Sequence, residues 1–217
     1  MHCQIGGMVR VLEAKTFPGL LDCAVASRGT MEEHYNLYLS HVNKVGDLTE
    51  RLTRIQCTRS TCQATEIANL KGDLTFVLSA VRNHEIYFDI LAAQGAPPTG
   101  ALLESIRACF GSLENYLGDL RQTARTCRGW TWTVQDECTG RLWNLSSQEV
   151  ASGPLWKARP LLALDLFEHA FFGDYGWRRL DYIDALIAHL NFKPVEARYL
   201  GVGGMATIGP EASPAKS

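Results

Sequence analysis

Asp165 and His169 lie four residues apart within Pro160–Phe172, a segment whose other side chains are apolar except for Glu168. That spacing turns a carboxylate and an imidazole the same way inside a hydrophobic surround. An isolated carboxylate is expensive to bury and is tolerated when it is paired or bound to a metal. Two chemistries meet that condition: a structural Asp-to-His hydrogen bond, or a share in a metal site. The segment alone leaves both open. His84, in Val81–Leu91, and His34, between Glu33 and Tyr35, pose the same choice. A lone histidine on an aromatic-rich helix face is more often a satisfied core residue than a ligand, so neither makes a site by itself.

Hydrophobic spacing defines the elements that must position these groups. Thr30-Met31-Glu32-Glu33 has the capping-box form, which predicts a helix from Thr30 to about Cys57 with Leu37, Val42, Val45, Leu48 and Leu52 at helical spacing. A return arm follows over Asp73–Ala93, carried by Leu74, Val77, Leu78, Val81, Ile86 and Ile90. Antiparallel packing of the two arms brings His34 and His84 face to face. Gly95 to Gly100 contributes turn chemistry and a boundary. Beyond it, Leu102–Phe110 and Leu113–Thr126 read as helices. Trp130–Val134, Arg141–Leu145 and Leu161–Asp165 read as short strands, and Arg179–Leu190 and Val195–Leu200 as helices again. The expected fold is α+β: an N-terminal segment and long α-hairpin over residues 1–94, then a domain over 95–200 with a small three-stranded antiparallel sheet surrounded by helices, then a loose tail over 201–217.

Composition narrows the class. With 217 residues, 46% of them hydrophobic, the chain can bury a sizeable core without disulfides or structural metal. A metal found here therefore needs a chemical reason. The balance of 21 basic against 23 acidic residues gives no field to hold a polyanion, so nucleic acid is not an expected partner. No run approaches the roughly 18 apolar residues of a membrane span, and the N-terminal residues lack a secretory-signal pattern. The seven cysteines are odd in number, scattered and without a C-x-x-C pair, although Cys57 and Cys62 are near enough to join. Reduced thiols in a cytoplasm are expected.

Taken together, a set of local sequences resembles the iron/manganese superoxide dismutases from about Thr30 to Tyr199. It comprises His84-Glu85-Ile86-Tyr87-Phe88, Gly95 through Pro98 with Gly100, Phe110-Gly111-Ser112, and Gly129-Trp130-Thr131-Trp132. It continues with Asp165 to Ala170, Asp174-Tyr175, Asp181-Tyr182, Leu190-Asn191-Phe192 and Arg198-Tyr199. The resemblance implies one iron or manganese ion per subunit, held by His34, His84, Asp165 and His169. It implies redox cycling that converts superoxide to dioxygen and hydrogen peroxide. It also implies a homodimer in which Glu168 reaches the partner's ligand histidine, with Trp130 and Trp132 walling the pocket.

Several positions depart from the family pattern. Where the family has a histidine and then a tyrosine lining the substrate funnel, this chain has Tyr38 and Val42, with His41 just before; either His41 or Tyr38 is expected to replace the gate tyrosine. Phe167 replaces a pocket tryptophan and Phe172 an interface tyrosine. The glutamine or histidine that steadies metal-bound solvent is missing at Ala80 and, by one loop alignment, at Val150, which leaves Gln148 as the expected replacement. Such losses keep a second expectation in view: the same cage repurposed to oxidise or rearrange a small organic substrate instead of the small superoxide anion.

Overall fold

The computed structural model describes residues 12–56, 64–92, 94–147 and 157–201. Cys3, Cys57, Cys62, Gln148, Val150 and the expected tail beyond Gly201 lie outside the described residues. Two long helices, α1 (Arg28–Gln56) and α2 (Ala64–Leu91), pack against one another as a hairpin. The α1 stripe is Met31, His34, Tyr38, Val42, Val45, Leu48 and Leu52, all buried and spaced by three or four residues. His34 is thus part of the packing face, whereas Leu37 lies off the stripe and is only half-buried.

The expected capping box is corrected. Helix α1 starts at Arg28, and Ser27 caps it: its Oγ accepts the Thr30 amide at 3.3 Å and its carbonyl accepts the Met31 amide at 3.0 Å. Thr30 and Glu33 therefore sit inside the first turns. Helix α2 starts nine residues before the expected Asp73, because Ala64–Asn69 is mostly exposed and carries no apolar stripe to announce it. From Ala80 onward the helix is buried almost all round, between α1 and the sheet. Leu78, expected inside, is exposed.

After the turn come α3 (Gly100–Phe110) and α4 (Leu113–Thr126), then β1 (Trp130–Asp136), β2 (Leu142–Ser147) and β3 (Ala158–Asp165). The sheet order is β2-β1-β3, with both pairings antiparallel. The central strand β1 is buried from Trp130 to Val134, and its register sets Trp130 opposite Asp165. Gly129 just ahead of it admits no side chain: a Cβ there would fall 2.7 Å from the Ser147 carbonyl and 2.9 Å from the Phe167 ring.

The chain closes with α5 (Glu168–Tyr175), α6 (Arg179–Ala188) and α7 (Lys193–Tyr199). Helix α5 was not expected from sequence. It is eight residues long, buries only Ala170 and Phe171, and has no side-chain cap at Phe167. It is fixed to the start of α1 instead. The Ser27 amide donates to Asp174 at 2.7 Å, and the Tyr175 hydroxyl donates to the Val25 carbonyl at 2.6 Å. These bonds set His169 on α5 against His34 on α1.

Candidate metal centre

Four elements deliver one group each: His34 from α1, His84 from α2, Asp165 from the end of β3 and His169 from the first turn of α5. Their candidate ligand atoms all lie within 4.8 Å of one another. Asp165 Oδ2 is 3.0 Å from His169 Nε2, 3.2 Å from His34 Nε2 and 3.6 Å from His84 Nε2. The structure thus joins the two readings left open for Asp165 and His169: they do hydrogen-bond, and two further imidazoles converge on the same oxygen.

Supporting contacts orient the cage. His84 Nδ1 donates to the Ala80 carbonyl at 2.7 Å, which leaves Nε2 as the lone-pair nitrogen facing inward. Asp165 Oδ1 accepts the Phe167 amide at 3.1 Å, and the Asp165 carbonyl accepts the Tyr182 hydroxyl at 2.8 Å. Tyr182 in turn meets the buried hydroxyl of Tyr87 at 2.9 Å. Sequence reading missed both tyrosines as supports. Tyr87 lies one helical turn beyond His84, a usable signal, but nothing local connects Tyr182 to Asp165.

The donor set fits a metal ion on two grounds. Neither nitrogen of His34 has a partner of hydrogen-bond geometry, despite the short approach to Asp165, and neither does His84 Nε2. Buried polar atoms left unpaired cost about 1–3 kcal/mol each, and a cation shared by the two Nε2 atoms removes that cost there. Three imidazoles with one carboxylate also form a mixed nitrogen and oxygen set suited to first-row metals.

Electrostatics agree with that fit. Burial lowers the pKa of His34 and pushes His84 down to about 3, so both rings are neutral and available as ligands at pH 7. Burial works against ionisation of Asp165, but the hydrogen bond from His169 and the close approach of the His34 ring outweigh it and hold the carboxyl well below its ordinary range. At His169 burial likewise opposes the charged form, and Asp165 overcomes it and raises the pKa. The last ring is the accessible one: the His169 side chain is 36% exposed, while the other three candidate ligands are buried.

Aromatic rings surround the cage. Trp130 stands edge-on to His84 at 5.2 Å, Phe167 stacks on His169 at 5.8 Å, and Phe88 meets His34 at 5.1 Å. Trp132 donates its indole hydrogen to Asn83 at 3.0 Å, beside His84. Tyr38 is buried, and its hydroxyl accepts the Lys15 amide at 2.8 Å and approaches Glu85 at 3.4 Å. Burial, chiefly, pushes that phenol up to about 12. His41 is half-buried, with its ring 5.7 Å from that of His84. Val42 belongs to the core, and Ala80 contributes only its carbonyl. Glu168 and Phe172 are exposed on α5.

A helical hairpin and a three-stranded sheet that together hold one His₃Asp cage have the donor set of a mononuclear metal site. A family model described as iron/manganese superoxide dismutases, C-terminal domain, matches residues 98–198. A superoxide dismutase [Mn] of Halobacterium salinarum is 30% identical over 167 residues, covering 76% of this chain and 82% of the relative. A superoxide dismutase [Fe] of Legionella pneumophila is 32% identical over 175 residues, covering 76% and 86%. One from Aquifex aeolicus, also named [Fe], is 30% identical, covering 77% and 79%. The chain belongs to the iron/manganese superoxide dismutase family.

Proposed function

We propose that the chain is a superoxide dismutase with one iron or manganese ion per subunit, held by His34, His84, Asp165 and His169. The observation that carries this reading is the convergence of those four ligand atoms within 4.8 Å. When bound, the ion supplies the one-electron couple that oxidises one superoxide to dioxygen and reduces the next to hydrogen peroxide. Around it, the chain's own residues offer three imidazoles, each uncharged once it binds the ion, and a single carboxylate, so positive charge remains to attract an anion. Trp130, Trp132 and Phe167 wall the cage. Of the two candidates for the gate, His41 is favoured, because the Tyr38 hydroxyl is already engaged by Lys15 and Glu85. The matched relatives are dismutases by name, which favours the superoxide anion over a small organic substrate.

The test is metal content and dismutation rate on one sample. About one ion per subunit and superoxide removal far above that of the free ion are expected. Bound metal with a rate no better than free metal rejects the dismutase reading.

We also read the protein as a homodimer built on α5. Phe172 is 44% exposed and Trp177 91% exposed, their rings 5.2 Å apart, beside Glu168 and the partly open His169. An exposed aromatic pair next to a ligand suits burial against a second copy. Replacing Phe172 and Trp177 together by glutamate is expected to give monomers in sedimentation velocity; dimers that survive both changes would reject this interface.

No helix among the described residues is long and apolar enough to cross a membrane. Free thiols at Cys23, Cys109, Cys127 and Cys138 support a cytoplasmic location.

A further inference from the structure

Among the described residues, several buried polar atoms without a hydrogen-bond partner gather at the cage: both nitrogens of His34, Nε2 of His84 and Nε1 of Trp130. A metal accounts for the inward Nε2 atoms of His34 and His84, though not for His34 Nδ1. It cannot account for the indole nitrogen, which carries a hydrogen, only donates, and does not ligate a cation. A buried donor with no acceptor is a standing cost, so this one points to a group that the described residues do not provide.

The sheet fixes where that donor sits. Trp130 stands opposite Asp165 in the β1–β3 register, and opposed residues on paired strands project from the same face. Its ring is 1% exposed, edge-on to His84 at 5.2 Å and 6.5 Å from Phe167. Among the described residues, the acceptors of the opposed Asp165 are engaged. Asp165 Oδ1 takes the Phe167 amide, Oδ2 faces three imidazoles, and the Asp165 carbonyl takes the Tyr182 hydroxyl. Trp132 makes a useful contrast: two residues along the same strand face, its indole is satisfied by Asn83.

We propose that the Trp130 indole N–H donates to a small exogenous acceptor, an anion or a water, held inside the metal cage. This rests on the metal reading above and extends it to how the anion is recognised. A neutral indole does not titrate near neutral pH, so Trp130 would orient an anion without supplying a proton. The proton must then come from another group. Trp130 is a binding residue for the oxygen-bearing anion, in a cage where Ala80 offers no side-chain donor.

The test uses the full chain loaded with ferric iron, with azide as the anion probe and visible absorbance as the readout. Trp130→Phe should keep the wild-type metal content while its azide dissociation constant rises about ten-fold, the loss of one charge-assisted hydrogen bond. Trp143→Phe should leave azide affinity within about two-fold, since that ring is exposed beside Arg141 and has no part in the cage. Unchanged azide affinity in Trp130→Phe at full metal content overturns the proposal and leaves the metal reading standing. Wild-type protein that binds no metal overturns both. A second measurement needs no change at Trp130: in gallium(III)-loaded protein, azide should move one buried indole N–H resonance downfield, and that resonance should persist in Trp132→Phe. If no indole resonance responds, the proposal fails.

Discussion

His84→Ala is expected to reduce bound metal from about one ion per subunit to almost none, with the fold retained. Of the proposed ligands, His84 is the one whose inward nitrogen is most firmly prepared. The Ala80 carbonyl fixes its tautomer, and burial keeps the ring unprotonated with a pKa of about 3, so no proton competes for Nε2 at neutral pH. Loss of an outer partner alone typically weakens metal binding about 10- to 100-fold, and removing a ligand exceeds that. Elemental analysis after dialysis against a weak chelator measures the effect. His189→Ala is the matched control: His189 also bonds the carbonyl one turn back, at 2.9 Å, but lies exposed and outside the cage, so its loss should leave metal content unchanged. Equal metal in wild type and His84→Ala would overturn the ligand set.

The two arms of the hairpin were legible because burial along α1 repeats every three or four residues, and the strands because their aromatic and branched runs end at Gly, Pro and Ser. Helix α5 was not, although it carries His169. Its eight residues hold too few apolar contacts for a periodic pattern, and what fixes it is a pair of bonds to Ser27 and Val25, about 150 residues away in the chain. The same limit applies to the supports of the cage. Ala80 serves His84 through a backbone carbonyl, to which any residue type contributes, and Tyr182 reaches Asp165 only through tertiary packing. The ligands themselves were found through resemblance. From spacing alone, His34 and His84 could not be told from core histidines, and the convergence of both on Asp165 is what separates the two readings.

Without its metal, the protein is expected to lose several kcal/mol of stability between pH 7 and pH 4. The sign follows from which state binds more protons. Burial depresses the pKa values of His34 and His84, so in this range the unfolded chain takes up protons that the folded chain refuses. Their contribution is present above the ordinary histidine value of about 6.5 and falls away toward the folded value of about 3 for His84, at about 1.4 kcal/mol per pH unit. Asp165, held low by His169 and His34 against the pull of burial, adds a loss that begins only below about pH 4. His169 acts in the opposite sense: its raised pKa stabilises the fold below about pH 6.5, a contribution lost as the pH climbs through the folded value. Two depressed imidazoles outweigh one raised and partly exposed ring, so the net slope is destabilising in acid. Melting temperatures of the metal-free protein should fall by about 10 °C across this range, given about 2–4 °C per kcal/mol for a chain of this size. In His84→Asn, which keeps a polar side chain but removes the titrating ring, the fall should be clearly shallower. A melting curve equally steep in that variant would mean that His84 is not the buried neutral ligand the cage requires.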